Sequence, residues 1–350
     1  MTDAGTGAVT AAGTGSGTGS GTGALLEVEG LAVEFATAQG WARVVDDVSF
    51  TIGRGETLGL LGESGCGKSV TSLAVMGLLP PRSSRIAAGS IRLDGRELRG
   101  LSESELSDVR GNAVSMIFQE PMTSLDPAFR VGEQISAVLR RHRGASRSAA
   151  RRRAVELLDL VGIPDAARRV DDYPHTFSGG MRQRVMIAIA LACEPDLLIA
   201  DEPTTALDVT VQKQILELLA GLQERLGMGV LFVTHDMGVI SQISDRVVVM
   251  YAGQVVEQAS TEEVFWHPQH PYTEGLLACL PAEHGRERLR GIPGLVPGPL
   301  DLPGGCRFHP RCHHARAGVC DVTPPGLDEV LAGHHTRCLL ARDIELRGIS

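Results

Sequence analysis

A glycine-rich loop follows the apolar run Thr57–Leu61 and limits the fold of this chain more than any other segment. Residues 62–69 read Gly-Glu-Ser-Gly-Cys-Gly-Lys-Ser, which is the spacing of a phosphate-binding loop. Glycines allow the tight turn in which successive backbone N–H groups point at phosphate oxygens, and a helix that begins after the loop adds the positive end of its dipole. The pattern predicts a strand, a phosphate-binding loop and a helix in succession, as in an α/β fold.

Two residues of the loop have specific expected roles. In loops of this spacing the lysine meets the β and γ phosphates of a nucleotide, and the following hydroxyl is a ligand of Mg²⁺. These roles fall to Lys68 and Ser69. A chance match in a glycine-rich turn is the alternative, and the flanking strand and helix patterns argue against it. The predicted nucleotide-binding residues of the loop are Gly62, Glu63, Ser64, Gly65, Cys66, Gly67, Lys68 and Ser69.

Two carboxylates end a second apolar strand pattern, Leu197–Ala200. The carboxyl ends of parallel strands meet at one edge of a sheet, so we expect Asp201 and Glu202 beside the phosphates. Asp201 suits Mg²⁺, and Glu202 can polarise a water for attack on the γ-phosphate. An ordinary surface turn can also carry Asp-Glu, but the phosphate-binding loop in the same chain favours the catalytic interpretation.

A second anion-binding pattern lies between these two sites. Ser178, Gly179 and Gly180 open a helical stretch, and the first N–H groups of a helix have no partner within it. The chain is therefore expected to carry two groups that bind a γ-phosphate. The alternative is a plain helix N-cap, for which Ser178 is well suited.

Together these motifs resemble the ATPase subunit of an ABC transporter, whose signature motif reads Leu-Ser-Gly-Gly-Gln. In this chain Phe177 stands for the leucine and Met181 for the glutamine. The resemblance implies an ABC-type P-loop NTPase core with an inserted helical subdomain. It also implies a dimer in which the signature of one subunit closes over the ATP held by the other.

The resemblance assigns roles to four further residues. Gln119, after the strand pattern 114–118, would contact Mg²⁺ and the attacking water, and His235 would contact the γ-phosphate. Asp208 would lie in the loop that crosses the dimer interface, and it also suits the N-cap of a helix over 209–226. Phe35 aligns with the aromatic residue that stacks on adenine, although Trp41 is close and packing in the core is a common alternative.

The chain divides into three parts along its length. Residues 1–23 are almost entirely Gly, Thr, Ser and Ala, and this composition predicts a disordered tail. Residues 24–266 are expected to form the ATPase domain, because apolar strand patterns alternate there with helices, as in a mostly parallel sheet. Residues from about 120 to 178 interrupt this alternation and predict the helical subdomain. Residues 267–350 form an extension rich in proline, glycine and cysteine.

The extension resembles the C-terminal region peculiar to oligopeptide, dipeptide and nickel importer ATPases, through the stretches 267–273 and 305–312. Four of its five cysteines are predicted to hold one metal centre, because the segment has little apolar material with which to fold. The spacings lack the close pairs of zinc ribbons, and a reducing compartment disfavours disulfides. The resemblance implies a 4Fe-4S cluster, with Zn²⁺ as the alternative. The cysteines are Cys306, Cys312, Cys320 and Cys338.

The expected function is ATP hydrolysis that powers import of dipeptides or oligopeptides, at the cytoplasmic face of the cell membrane as a peripheral subunit. Nickel or another small solute is the alternative cargo, and a soluble non-transport ABC ATPase is a less favoured alternative. The resemblance implies a second ATPase subunit, two permease subunits and an extracytoplasmic binding protein. A related but different chain is the favoured second ATPase subunit, and a second copy of this chain is the alternative. The sequence has no apolar run long enough to span a bilayer, and its net charge of −9 argues against sequence-independent binding of nucleic acid.

Overall fold

The computed structural model describes residues 23–119, 124–205, 207–280 and 291–349. All but the last residue of the predicted disordered tail lie outside these ranges, as do the first residues of the predicted helical subdomain. The described strands are β1 (Leu26–Thr37), β2 (Gly40–Ile52), β3 (Thr57–Leu61), β4 (Ser84–Leu93), β5 (Arg96–Glu97), β6 (Val114–Ile117), β7 (Leu197–Asp201), β8 (Gly229–Thr234), β9 (Arg246–Tyr251), β10 (Gln254–Ser260), β11 (Asp328–Leu331) and β12 (His334–Thr336).

Helices occupy much of the remaining described chain. The described α-helices are α1 (Lys68–Val75), α2 (Glu103–Val109), α3 (Val131–Arg143), α4 (Arg147–Leu160), α5 (Ala166–Arg169), α6 (Gly179–Ala190), α7 (Val209–Leu226), α8 (Met237–Ile243), α9 (Thr261–Trp266) and α10 (Pro271–Leu277). Short 3-10 turns lie at Pro174–Thr176 and His309–Arg311.

The central sheet has eight strands in the order β11-β12-β10-β9-β3-β8-β7-β6. Strand β3 pairs in parallel with β8 and β9, and β7 pairs in parallel with β6 and β8. All residues of β3, β6, β7 and β8 are buried, which is why these strands read as continuous apolar runs. The central strand β3 therefore delivers the glycine-rich loop to the carboxyl edge of a parallel sheet.

A second sheet departs from the expected alternation of parallel strands and helices. Strands β1, β2, β4 and β5 form an antiparallel sheet in the order β2-β1-β4-β5. The β1–β2 connection explains the difference, because Thr37 pairs with Gly40 and leaves only a two-residue turn between the strands. Parallel strands need a crossover of about a dozen residues or more, so this connection permits only an antiparallel hairpin.

Helices α3 to α6 lie in the sequence between β6 and β7, where the helical subdomain was expected. Amphipathic patterns over 131–140 and 149–161 predict two helices of this subdomain, and the observed α3 and α4 lie on these stretches with ends shifted by up to three residues. Ile135 of α3, Leu157 of α4 and Ile187 of α6 belong to one buried core. The apolar faces of these helices therefore pack together and against the main sheet.

The extension adds strands to the central sheet. Strand β12 pairs with β10, with Glu257 opposite Thr336, and β11 pairs with β12. The fully buried carboxylate of Glu257 lies 2.7 Å from Nε2 of His334 and accepts the backbone N–H groups of Gln269 and His270 at 2.6 and 3.1 Å. Buried polar groups of this kind are stable when each has a partner. The extension is thus joined to the ATPase domain by a continuous sheet and a buried polar cluster.

Candidate nucleotide-binding and catalytic site

The glycine-rich loop has the backbone that its sequence predicts. Gly62, Gly65 and Gly67 have φ values of 155°, 82° and 104°, which side chains other than glycine rarely tolerate. A Cβ atom on Gly62 would also collide with the carbonyl oxygen of Met250. Glycine is therefore required at this position both for its conformation and for the close approach of two backbones.

Lys68 is buried at the start of α1 and turns back into the loop. Its ammonium group donates to the carbonyl oxygens of Gly62 and Glu63 at 2.6 and 3.1 Å. The carbonyl oxygens are neutral acceptors, and an ammonium group bonds more strongly to anionic oxygens. The position of Lys68 therefore suits contact with the phosphate oxygens of a nucleotide.

Ser69 and Asp201 meet although 132 positions separate them in the sequence. The Ser69 hydroxyl donates to a carboxylate oxygen of Asp201 at 3.2 Å. Burial raises the pKa of Asp201, while the hydrogen bond from Ser69 opposes this effect. A hydroxyl and a carboxylate in contact form part of a ligand set for Mg²⁺, and the cation would favour the ionised carboxylate.

Glu202 is the centre of a hydrogen-bonded cluster. Gln119 and Thr205 donate to its Oε2 atom at 3.0 and 2.9 Å, and Nδ1 of His235 lies 3.1 Å from Oε1. The structure thus brings together the three predicted catalytic residues, which come from the ends of β6, β7 and β8. Thr205 was not predicted, and its position three residues after Glu202 is the only sequence signal for it.

The charge state and orientation of Glu202 follow from this cluster. Burial raises the pKa of Glu202, but the hydrogen bonds from His235 and Thr205 outweigh it and leave the pKa below its ordinary value. The carboxylate is therefore ionised at neutral pH and able to accept a proton. Its backbone φ of 47° lies in the left-handed region, and its N–H donates to the carbonyl of Val233 at 2.8 Å. This local conformation fixes where the carboxylate projects.

The extension contacts the phosphate-binding loop through Glu63. Arg311 donates two hydrogen bonds to the Glu63 carboxylate, at 2.7 and 3.0 Å, and its third nitrogen donates to the carbonyl of Pro293. The hydroxyl oxygen of Tyr272 accepts the backbone N–H of Glu63 at 2.9 Å. Arg311 is buried, and paired hydrogen bonds between guanidinium and carboxylate are both strong and specific in direction. No local sequence pattern predicts this contact, which joins residues 248 positions apart.

The signature residues lie at the start of α6. Ser178 accepts a hydrogen bond from the N–H of Met181 at 3.4 Å, so it is the N-cap of the helix. Ser178 and Gly179 are exposed, whereas Gly180 packs on α7, where a Cβ atom would lie 2.6 Å from a methyl group of Val211. Capping and binding of an anion from a facing subunit are compatible, because only part of the helix N-terminus is used by the cap.

Two further predicted residues have clear local roles. Asp208 caps α7, since its carboxylate accepts the N–H of Val211 at 3.0 Å. Phe35 is partly buried and packs against the core shared by the two sheets. Trp41 is 45% exposed, with the guanidinium of Arg85 at 4.2 Å from its ring centroid. The adenine contact of Phe35 and the interface role of Asp208 stay predictions.

Four cysteines of the extension line one apolar cavity together with Phe308; they are Cys306, Cys312, Cys320 and Cys338. Burial raises the pKa of the Cys312 thiol to about 11 and that of the Cys338 thiol to about 12. None of the seven cysteines of the chain takes part in a disulfide. Four converging thiols in such surroundings would be stabilised as thiolates only by a cation.

Comparisons with known proteins agree with the geometry of the site. A family model described as ABC transporter matches residues 45–205, and one described as the C-terminal region of oligopeptide/dipeptide transporters matches residues 256–320. The chain is 51% identical over 317 residues to the oligopeptide transport ATP-binding protein AppD of Bacillus subtilis (strain 168), an alignment that covers 90% of this chain and 96% of AppD.

Solved structures with the same fold include two transporter cassettes. The dimeric ATP-binding cassette MJ0796, bound to ADP and Pi, has a TM-score of 0.60 and 29% identity, covering 67% of this chain and 98% of the other. The protein cbiO1 of Clostridium perfringens, part of the ABC transporter complex cbiONQ, has a TM-score of 0.59 and 29% identity, covering 69% of this chain and 90% of the other. Within the described residues, no helix combines the length and apolar character needed to cross a bilayer.

We predict that Arg311 controls nucleotide affinity through Glu63. The variant Arg311→Met should bind ATP more weakly, because it leaves the Glu63 carboxylate uncompensated beside the anionic phosphates. The double variant Glu63→Gln/Arg311→Met should recover part of the loss, with a coupling free energy of about 0.5–3 kcal/mol, as for residues in direct contact. Equilibrium binding of a fluorescent ATP analogue measures this coupling, and strictly additive effects would contradict the prediction.

Proposed function

Because the chain belongs to the ATP-binding subunits of ABC transporters, we propose that it hydrolyses ATP to drive the import of dipeptides and oligopeptides. The observation that carries the catalytic part is the cluster around Glu202, in which an ionised carboxylate is held by Gln119, Thr205 and His235. The name of AppD and the C-terminal family match favour peptides over the nickel and non-transport alternatives.

The chain's residues divide the catalytic work between binding and proton transfer. Lys68 and the N–H groups of the glycine-rich loop hold the β and γ phosphates, and Ser69, Asp201 and Gln119 would hold Mg²⁺, which offsets the charge that develops on the phosphate oxygens. Glu202 accepts a proton from the attacking water as the new bond to the γ-phosphorus forms. The bond from that phosphorus to the bridging oxygen breaks, and ADP leaves with the electron pair. His235 orients Glu202.

We place the second half of each ATP site on a facing subunit. Ser178 and Gly179 are exposed at the start of α6, whose free N–H groups can bind the γ-phosphate of a nucleotide held by another subunit. The dimeric state of the similar cassette MJ0796 supports this arrangement. The facing subunit in the transporter is proposed to be a related ATPase chain. The dimer would act on two permease subunits at the cytoplasmic face of the membrane. The permease subunits would receive the substrate from an extracytoplasmic binding protein.

The four cysteines are proposed to hold a 4Fe-4S cluster, which needs four thiolates. The spacings between the cysteines in the sequence lack the close pairs of zinc ribbons, which favours the cluster over zinc. The role of the cluster here would be to stabilise the extension, which has little apolar material with which to fold.

Glu202→Gln should abolish hydrolysis and leave ATP binding intact, because an amide keeps the shape of the side chain but cannot accept the proton. We expect a rate loss of about 10²–10⁴ in the assembled transporter, measured by phosphate release. Uptake of a labelled tripeptide into cells that carry only this variant should be lost as well. The control is Glu224→Gln, which changes an exposed carboxylate on α7 and should retain both activities. Hydrolysis by Glu202→Gln at the parent rate would contradict the assignment of Glu202 as the general base. If cells that carry the parent protein take up Ni²⁺ and not the peptide, the proposed cargo is wrong.

Complementation between two inactive variants tests the shared site. Lys68→Ala removes phosphate binding, and Ser178→Arg blocks the contact with a facing nucleotide, so each variant alone should be inactive. A mixture of the two should recover part of the activity if the chain pairs with itself, because one intact site then forms across each mixed dimer. Recovery only after the related ATPase subunit is added would indicate that the pair is a heterodimer. Full activity of a monomer, independent of protein concentration, would contradict the facing-site arrangement.

Cys312→Ser should remove the metal centre of the extension. Protein purified without oxygen should be brown, with a broad iron–sulfur absorbance that this variant loses because it lacks one of the four thiolate ligands. The matched control is Cys279→Ser, which changes an exposed cysteine outside the cavity and should keep the colour. Colourless parent protein with one bound zinc would contradict the cluster and support the zinc alternative.

A further inference from the structure

Three side chains outside the ATP site and the cysteine cavity converge on one point. Glu274 lies on α10, and His313 and His314 follow Cys312, the residue after the 3-10 turn at His309–Arg311. The Nε2 atoms of His313 and His314 lie 3.4 and 3.5 Å from the same Oε2 atom of Glu274. All three ligand atoms lie within 4.8 Å of one another, and none of them has a role in the proposed ATPase reaction.

The spacing of these atoms matches the edges of a metal coordination polyhedron. Zinc binds imidazole nitrogen and carboxylate oxygen at about 2.0–2.2 Å, so two ligands of a tetrahedral ion lie about 3.3–3.6 Å apart. Both distances from Glu274 fall in this range. Direct hydrogen bonds between these groups would be shorter, at about 2.7–3.2 Å.

The burial of the atoms supports the same interpretation. Oε2 of Glu274 and Nε2 of His314 are buried and have no hydrogen-bond partner among the described residues. Buried polar atoms in folded proteins are nearly always paired, so atoms without partners that face each other need another explanation. A bound cation would satisfy both atoms, together with Nε2 of His313.

A further contact orients the carboxylate. The backbone N–H of Arg347 donates to Oε1 of Glu274 at 2.9 Å, which leaves Oε2 directed at the two imidazole rings. Outer contacts of this kind hold ligands in position at established metal sites. The site would thus connect three segments that are far apart in the sequence: α10, the loop after Cys312 and the chain near residue 347.

We propose that Glu274, His313 and His314 form a binding site for a divalent transition metal ion, with zinc as the reference ion. Two imidazoles and one carboxylate suit zinc and similar ions, and three protein ligands leave a fourth position for water. The site is separate from the proposed cluster of four cysteines, because it uses no sulfur ligand. A bound ion would join α10 to the loop after Cys312. Helix α10 also carries Tyr272, which contacts the phosphate-binding loop.

Zinc binding to the full-length chain tests the proposal. The protein is purified with its cysteine centre intact, treated with a chelator, and titrated with Zn²⁺ by calorimetry. X-ray absorption at the zinc edge should then show nitrogen and oxygen ligands at about 2.0–2.1 Å, without the sulfur shell at about 2.3 Å that thiolate ligation gives. A sulfur-dominated zinc shell, or no bound zinc, would overturn the proposal.

Two variants and one control connect the zinc to these residues. His313→Asn and Glu274→Gln should each lower the affinity by more than the roughly 10- to 100-fold that loss of an outer contact costs. The side chain of His313 is 65% exposed, so its replacement should not disturb folding. His267→Gln, which changes an exposed histidine outside the site, should bind zinc as the parent does. Parent affinity in both site variants would overturn the assignment.

Discussion

The parallel pairing of β3, β8, β7 and β6 determines where the groups of the catalytic site lie. Because parallel strands end at one edge of the sheet, the phosphate-binding loop after β3, Asp201 and Glu202 at the end of β7, and His235 after β8 meet there. A register shift of one residue in any of these strands would turn its side chains to the other face. The burial of both faces of these strands fixes their register. The packing that stabilises the core therefore also places the catalytic groups.

Much of this arrangement follows from local sequence patterns. Strand β3 and helix α7 have the predicted bounds, because a continuous apolar run marks the strand and a capping residue marks the start of the helix. The meeting of Gln119 and Glu202 could also be predicted, since each follows an apolar strand pattern of the parallel sheet. The left-handed backbone at Glu202 had no such signal, because it depends on the hydrogen bond to β8 rather than on the residue type.

Other features depend on contacts that no local pattern records. Strand β12 reads His-His-Thr, with no apolar alternation, and it is a strand because its buried histidine pairs with Glu257 on the neighbouring β10. The ion pair between Glu63 and Arg311 joins residues 248 positions apart in the sequence. The position after Gly62 in a phosphate-binding loop accepts many residue types, so the glutamate there gave no signal of a partner. Pairings between distant polar residues depend on the finished fold, which is why the sequence indicated the extension as a segment but not its attachment.

The attachment of Arg311 to Glu63 bears on how such a chain can change over generations. An added C-terminal region is commonly regarded as a module that can be gained, lost or exchanged while the catalytic domain stays the same. Here the domain carries an acidic residue inside its own phosphate-binding loop, and among the described residues the ion pair of that acid is with Arg311 of the extension. Loss of the extension would leave a negative charge beside the nucleotide until Glu63 itself was replaced. The two regions are therefore expected to be inherited together, with the acid and the arginine changing as a pair.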